Sequence, residues 1–308
     1  MQMMLNEHPA FSSPPPPPLP APLSLAMPPR LVDCHAHLST LQAPLNTFAA
    51  ITCSVGTEID AELAFVGRTR RSPDNPRRIV HFVGTHPESI ASHSADALDR
   101  LAAVVRDPAE RAARGIGGIG EIGLDFRPSV VGGVDGDGSI KEAQFQVYRD
   151  QLALAASVGL PVNVHSRAAG HHALEVRRQV APEVPALFHA WDGKLKYAVR
   201  EATNCPLSFF SIAPCVGRSD RLRDLIRQLP LRSLVLETDA PALAPVAGDV
   251  NTLDNLAVAL RAVQDLRPEE PTVVSRALYN NSMRFLGEEE VSEDEWREWE
   301  EEEEGERK

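Results

Sequence analysis

Residues 142–165 read EAQFQVYRDQLALAASVGLPVNVH. The stretch 142–159 predicts a helix, and PVNVH at 161–165 predicts a short strand that stops on a histidine. A further strand candidate, IGGIGEIGL at 116–124, precedes them. Strand, helix, strand is the unit of a parallel sheet with right-handed crossovers. Working outward, more strands are expected at 31–35, 50–56, 79–84, 186–190, 206–212 and 233–238. More helices are expected at 94–113, 219–229 and 250–265. Eight strands in about 250 residues fit an α/β fold closed as a TIM-like (β/α)8 barrel, with an open doubly wound sheet as the alternative. A dinucleotide fold is disfavoured: no GxGxxG follows the first strand, and GIGGIG at 115–120 runs into Glu121 and more strand rather than a helix. The stretch 38–51 is short for a full crossover helix, so the first βα unit is expected to be reduced.

The polar residues gather where these strands stop. Strand one ends in DCHAH, and residues two apart on a strand share a face, so Asp33, His35 and His37 project together. Strand four carries Glu121, with Asp125 four residues on. Strand five ends at His165, strand six at His189, and strand eight at Glu237, Thr238 and Asp239. The carboxyl ends of barrel strands converge on one mouth, where barrel active sites lie. Four histidines with Glu121 and Asp239 make six ligands, enough for two divalent ions bridged by a carboxylate. The competing reading is a set of buried histidines bonded to backbone carbonyls. His86, in GTHPES after strand three, is expected to face substrate or back a ligand, whereas mid-strand His81 is expected to be packed. His171 and His172 fall in a helix and are read as non-ligands.

Charge divides the chain unevenly. The net charge is −12, but Glu288 to Lys308 alone carry 13 acidic and 3 basic residues, leaving the other 287 residues at −2. A nearly neutral body has no gross basic field to draw in nucleic acid, which disfavours a nonspecific DNA-coating role but leaves local phosphate sites open. Residues 288–308 are expected to be a solvated acidic tail, with Trp296 and Trp299 spaced to share a helix face if it docks. Residues 1–29 hold Pro14 to Pro18 and further prolines and are expected to be an extended, disordered arm. That leaves 30–287 as the folded unit. No run of about 18 apolar residues is present, so a spanning helix is not expected. The arm suits neither a signal peptide nor a mitochondrial presequence. Cys34, Cys53, Cys205 and Cys215 form no CxxC pair and read as reduced thiols of an intracellular protein, in the cytoplasm or alternatively the nucleus.

The ordered segments LVDCHAHL (31–38), GTHP (84–87), GIGEIGLDF (118–126), LPVNVHSR (160–167), FHAWDG (188–193) and ETDAP (237–241) resemble the TatD family of metal-dependent deoxyribonucleases, in the amidohydrolase-like superfamily. NNSMRFLG at 280–287 looks like that family's closing helix. The resemblance implies a TIM-like barrel, a divalent-metal site and hydrolysis of DNA phosphodiesters, by 3′–5′ exonuclease action. It also implies His35, His37, Glu121, His165, His189 and Asp239 as metal ligands. Ala190, Trp191 and Asp192, the glycine-rich loop 127–139, and Asn251 followed by TLDN depart from the family pattern, and bear on substrate choice more than on chemistry.

On this basis His35 and His37 hold one ion, His165 and His189 the other, and Glu121 bridges. Asp239 binds metal and acts as general base toward water. Arg167 is positioned to contact a phosphate oxygen, unless it serves a structural salt bridge. The ligand set admits magnesium, manganese or zinc. Two rival readings stand: an amidohydrolase of a small cyclic amide, and a catalytically silent metal-binding barrel. Strand four offers Glu121 and no lysine for a carboxylated bridge, which favours the phosphodiesterase, with DNA as its substrate by the family resemblance. No membrane contact or obligate protein partner is expected.

Overall fold

The computed structural model describes residues 30–37, 49–53, 78–92, 97–133 and 138–306. Its strands are β1 (Val32–Ala36), β2 (Ala49–Cys53), β3 (Arg78–Val83), β4 (Ile116–Gly123), β5 (Val162–His165), β6 (Ala186–Phe188), β7 (Ser208–Ile212) and β8 (Leu234–Leu236). They form one eight-stranded sheet in sequence order, parallel at every pairing. All eight overlap the strands expected from sequence. The edge strands meet at their carboxyl ends. There the Asp239 amide donates to the His35 carbonyl at 2.9 Å, and the His37 amide to the Ala240 carbonyl at 2.9 Å. The sheet thus curls round in the manner of a TIM-like barrel.

Among the described residues the helices are α1 (Ala97–Arg106), α2 (Pro108–Arg114), α3 (Ser139–Val158), α4 (Gly170–Val180), α5 (Leu195–Asn204), α6 (Asp220–Gln228), α7 (Leu256–Leu266), α8 (Pro271–Leu286) and α9 (Glu293–Glu306). The helix expected over 94–113 is two. Pro108 cannot continue α1, and Asp107 instead caps α2 by accepting from the Ala109 and Glu110 amides at 2.8 and 3.3 Å. The arm 1–29 and residues 38–48, which bear on a reduced first βα unit, lie outside the described residues.

The glycines of β4 are there for packing. A side chain at Gly118 would sit 2.1 Å from the Phe82 ring, and one at Gly123, whose φ is +137°, would strike the His165 carbonyl oxygen at 2.0 Å. Bare backbone lets β3 and β5 close onto β4, which brings Glu121 and His165 together. Register aligns Asn163, Leu187 and Phe209 across β5, β6 and β7. Phe285, from the end of α8, lies 5.7 Å from both Phe82 and Phe209. Apolar side chains fill that part of the molecule, and the polar residues sit at the strands' carboxyl ends.

The acidic segment departs from a solvated tail. Trp296 is 7% exposed, and Tyr279, Trp296 and Trp299 form a triangle of rings 5.7–5.9 Å apart. Arg30 covers Trp299, its guanidinium carbon 3.3 Å from the ring centroid. Arg30 precedes β1, so α9 docks at the amino ends of the strands, away from the mouth. The acidic side chains repel one another, but two indoles on one helical face bury enough apolar area to hold the helix down.

Candidate metal centre

Glu121 is the hub. It is 2% exposed, and its two oxygens face different histidines. Oε1 lies 2.7 Å from His165 Nδ1, 2.7 Å from His189 Nε2 and 3.4 Å from His86 Nε2. Oε2 lies 3.7 Å from His35 Nε2 and 3.8 Å from His37 Nε2. Asp239 Oδ1 closes the second group, 3.3 Å from His35 Nε2 and 3.4 Å from His37 Nε2. Among the described residues, three ligand-type triads have donor atoms within 4.8 Å of one another: His35, His189 and Asp239; His35, His37 and Glu121; and His86, Glu121 and His165. The six residues expected as ligands thus converge on one place. His86 comes with them, its Nε2 3.4 Å from Glu121 Oε1. His37 and Asp239 are the open side, with side chains 18% and 13% exposed.

The backbone delivers these groups through short irregularities. Asp239 takes a left-handed conformation, φ +54°, which a non-glycine residue adopts only at a cost. The turn is held by its amide on His35 O, by the Ala242 amide on its own carbonyl at 2.7 Å, and by buried Asn251, whose Nδ2 donates to Thr238 O at 2.7 Å. Asp33 ties the same end to β1. It accepts from the Thr238 amide at 2.9 Å, the Thr238 hydroxyl at 2.6 Å and the His35 amide at 3.2 Å. Burial pushes the Asp33 carboxyl up to about 7 against those bonds.

Behind the histidines stand Asn163, which sequence reading did not select, and Asp125 and Glu237, which it placed at the strand ends without a role. Asn163 Oδ1 lies 3.1 Å from His35 Nδ1, and its amide group donates to the Cys34 carbonyl at 3.1 Å. Asp125 Oδ2 lies 3.2 Å from His165 Nε2, and the same carboxylate receives Arg127 Nε at 2.8 Å. Glu237 is fully buried. Its Oε1 accepts from the Ala190 amide at 3.0 Å, and its Oε2 faces His189 Nδ1 at 3.7 Å. Asn163 was findable, because it lies two residues before His165 on the same strand face. Arg167 is exposed, its side chain outside the histidine cluster. His81 is buried in β3, as expected, and His171 and His172 lie outside the triads.

The electrostatics call for positive charge at this spot. Burial would raise Glu121, but His189, His86 and the hydrogen bonds of His165 and His189 hold it well below the usual carboxylate range. Burial would lower His189, but Glu121 and then Glu237 hold it well above its ordinary value. Burial would raise Asp239 too, and bonds to His35 and His37 keep it low. His189 Nδ1 and Glu237 Oε2 have no hydrogen-bond partner although both are buried. An imidazole bound to a cation through Nε2 would turn an Nδ1 proton toward that carboxylate. The nitrogen and oxygen donors and this buried acceptor fit a divalent-metal site.

The family model described as TatD related DNase matches residues 32–287. The chain belongs to that family. Deoxyribonuclease TATDN3 of Homo sapiens is 32% identical over 269 residues, 83% of this chain and 94% of its own length. An uncharacterized metal-dependent hydrolase, YjjV of Escherichia coli, is 31% identical over 271 residues, 82% of this chain and 96% of its own. The crystal structure of YjjV superposes with a TM-score of 0.69 at 26% identity, covering 84% of this chain and 98% of that one. The family is one of metal-dependent hydrolases with the TIM-barrel fold, and this chain shares both fold and class. The family match ends at Gly287, so α9 lies beyond it. Among the described residues no helix is long and apolar enough to cross a membrane.

Proposed function

We propose that residues 30–287 hydrolyse DNA phosphodiesters with two divalent ions at the Glu121 hub. The observation that carries this is the division of Glu121: one oxygen faces His165, His189 and His86, the other His35 and His37. One carboxylate between two imidazole groups is the arrangement that a bridged pair of cations uses. His35, His37 and Asp239 would hold one ion, and His165 and His189 the other, with His86 beside it. Magnesium, manganese and zinc all suit such nitrogen and oxygen donors. Bound there, the ions would neutralise phosphate charge, acidify a water and stabilise the leaving oxygen.

The chain's own groups do the rest. Asn163 and Asp125 fix the rings of His35 and His165. Asp239, on the open side, orients the attacking water and accepts its proton at Oδ2. Arg167, exposed just beyond β5, takes a phosphate oxygen as the strand enters. A Klebsiella pneumoniae relative named 3′-5′ ssDNA/RNA exonuclease TatD, 32% identical over 166 residues and covering 53% of this chain, supports shortening from a 3′ end. The free cysteines support a reducing compartment, which we take as the cytoplasm.

The test is cleavage of end-labelled single-stranded DNA with magnesium, manganese or zinc, with a chelator, and with Asp239→Asn alongside. Metal-dependent shortening that disappears in the variant is the expected result. An Asp239→Asn protein with full activity and unchanged metal content would remove the general-base role. Cleavage of amides but not DNA would return the rival amidohydrolase reading.

A further inference from the structure

Beside the mouth lies a strip of rings and cations that the metal site does not use. It starts one residue past Asp125. Phe126 stands 5.6 Å from Phe145 and 5.7 Å from His172. His172 adjoins His171 at 3.7 Å, and His171 stacks on Tyr197 at 5.4 Å with 23° between the planes. The rings come from the segment just after β4 and the amino-terminal halves of α3, α4 and α5, all on the carboxyl side of the sheet, where the mouth is. Amines interleave with them. Lys141 Nζ lies 5.4 Å from the Phe126 centroid, and Lys196 Nζ lies 5.1 Å from that of Tyr197.

The strip is open to solvent. His171, Lys141 and Lys196 are exposed, and Phe126, Phe145, His172 and Tyr197 are half-buried. Phe126, Phe145 and Tyr197 rest one side on the hydrophobic core and keep the rest of each ring accessible, with exposed His171 and two ammonium groups beside them. The strip's inner end is joined to the site twice: the Phe126 amide donates to the Arg167 carbonyl at 3.0 Å, and Asp125 reaches His165. The acidic helix α9 is docked at the opposite end of the sheet and does not oppose a polyanion here.

We propose that this strip, from Phe126 through His172 and His171 to Tyr197, docks a single-stranded polynucleotide and feeds its end to the Glu121 hub. Unpaired bases stack on the rings, and Lys141 and Lys196 take phosphates. The chemistry selects single strands, because a duplex hides its base faces. The inference rests on the phosphodiesterase reading for the purpose of docking, but its test is binding rather than cleavage.

The experiment is fluorescence anisotropy of a 5′-labelled twelve-residue oligothymidylate with the full chain, in chelator so that nothing is cut. His171→Ala/Tyr197→Ala is expected to bind at least tenfold more weakly, since each stacked ring matters by about that much. A duplex of matched length is expected to bind weakly and to ignore the ring change. Lys141→Ala/Lys196→Ala changes only exposed side chains. It is expected to lower the slope of log Kd against log salt by about 1.4, roughly 0.7 per phosphate contact on a single strand. Unchanged affinity in the ring variant with an unchanged salt slope in the lysine variant overturns the strip, as does equal loss on single strand and duplex. Wild-type protein that binds as expected but cuts nothing under any metal sinks the nuclease reading and leaves the strip. Protein that cuts while both variants bind like wild type does the reverse.

Discussion

Glu237→Gln probes how the site is held rather than what it contains. Glu237 serves two donors with two oxygens: Oε1 takes the Ala190 amide at 3.0 Å, and Oε2 faces His189 Nδ1 at 3.7 Å. Glutamine has the same shape but one acceptor and one donor. If its oxygen keeps Ala190, its amide meets the proton that His189 must carry on Nδ1 to bind a cation through Nε2. If it turns over, its amide meets the Ala190 amide. A buried donor left without an acceptor costs roughly 1–3 kcal/mol. Loss of a carboxylate behind a ligating histidine typically weakens metal affinity about 10–100-fold, or roughly 1.4–2.8 kcal/mol, so the two routes agree. The assay is calorimetric titration of manganese or zinc into stripped protein, with thermal unfolding of the stripped protein to show that the fold survives. Ser211→Ala is the control. It removes the other acceptor of the Ala190 amide, at 3.2 Å, and should change metal affinity less than about threefold. A folded Glu237→Gln protein whose affinity stays within about twofold of wild type would refute the argument.

Burial lowers His81 from 6.5 to about 4. The unfolded chain therefore binds a proton that the folded chain refuses, and stability falls as pH drops from about 6.5 to 4, by about 3 kcal/mol at roughly 1.4 kcal/mol per decade. Denaturant titrations of His81→Gln at pH 7 and 4.5 should show most of that increment gone; equal acid sensitivity in both proteins would remove His81 as the cause. Burial pushes the Cys215 thiol up to about 11, so about one molecule in a thousand is thiolate at pH 8. Iodoacetamide at that pH should leave Cys215 unlabelled in the native protein and label it in denaturant, as peptide mass mapping would show. Trp296→Ala removes a nearly buried indole from its contacts with Tyr279 and Trp299. It should cost about 3 kcal/mol and lower Tm by on the order of 5–10 °C, with DNA cleavage unchanged because α9 is docked away from the mouth.

The parts that were legible in the sequence are those governed by one-dimensional rules. Strand parity put His35 and His37 on one face, and strand endings put Glu121, His165, His189 and Asp239 at one mouth. Arg167 lies beyond the reach of strand parity: β5 stops at His165, Ala168 turns at φ +55°, and the arginine is exposed. The roles of the residues behind the ligands were not legible because they depend on neighbouring strands. Asn163 matters only because β1 delivers His35 to it, and Glu237 only because β6 ends at Phe188 and presents His189 above it.

The acidic segment shows a local rule outweighed by another local rule. Thirteen acidic residues suggest a solvated chain, yet Ser292 and Glu295 form a reciprocal cap. The Ser292 amide donates to Glu295 Oε2 at 2.8 Å, and the Glu295 amide to Ser292 Oγ at 3.2 Å. Ser-x-x-Glu before an aromatic pair is a helix-start signature readable in the sequence. Glu293, Asp294 and Glu295 in the first turn also favour the helix, since negative charge there meets the positive end of its dipole. The repulsion that remains is spent mostly on solvent. The same charge would impede a polyanion at the mouth, and Arg30, stacked on Trp299 ahead of β1, anchors it at the other end of the sheet. Docking α9 there keeps a segment that carries most of the chain's net charge of −12 away from the mouth.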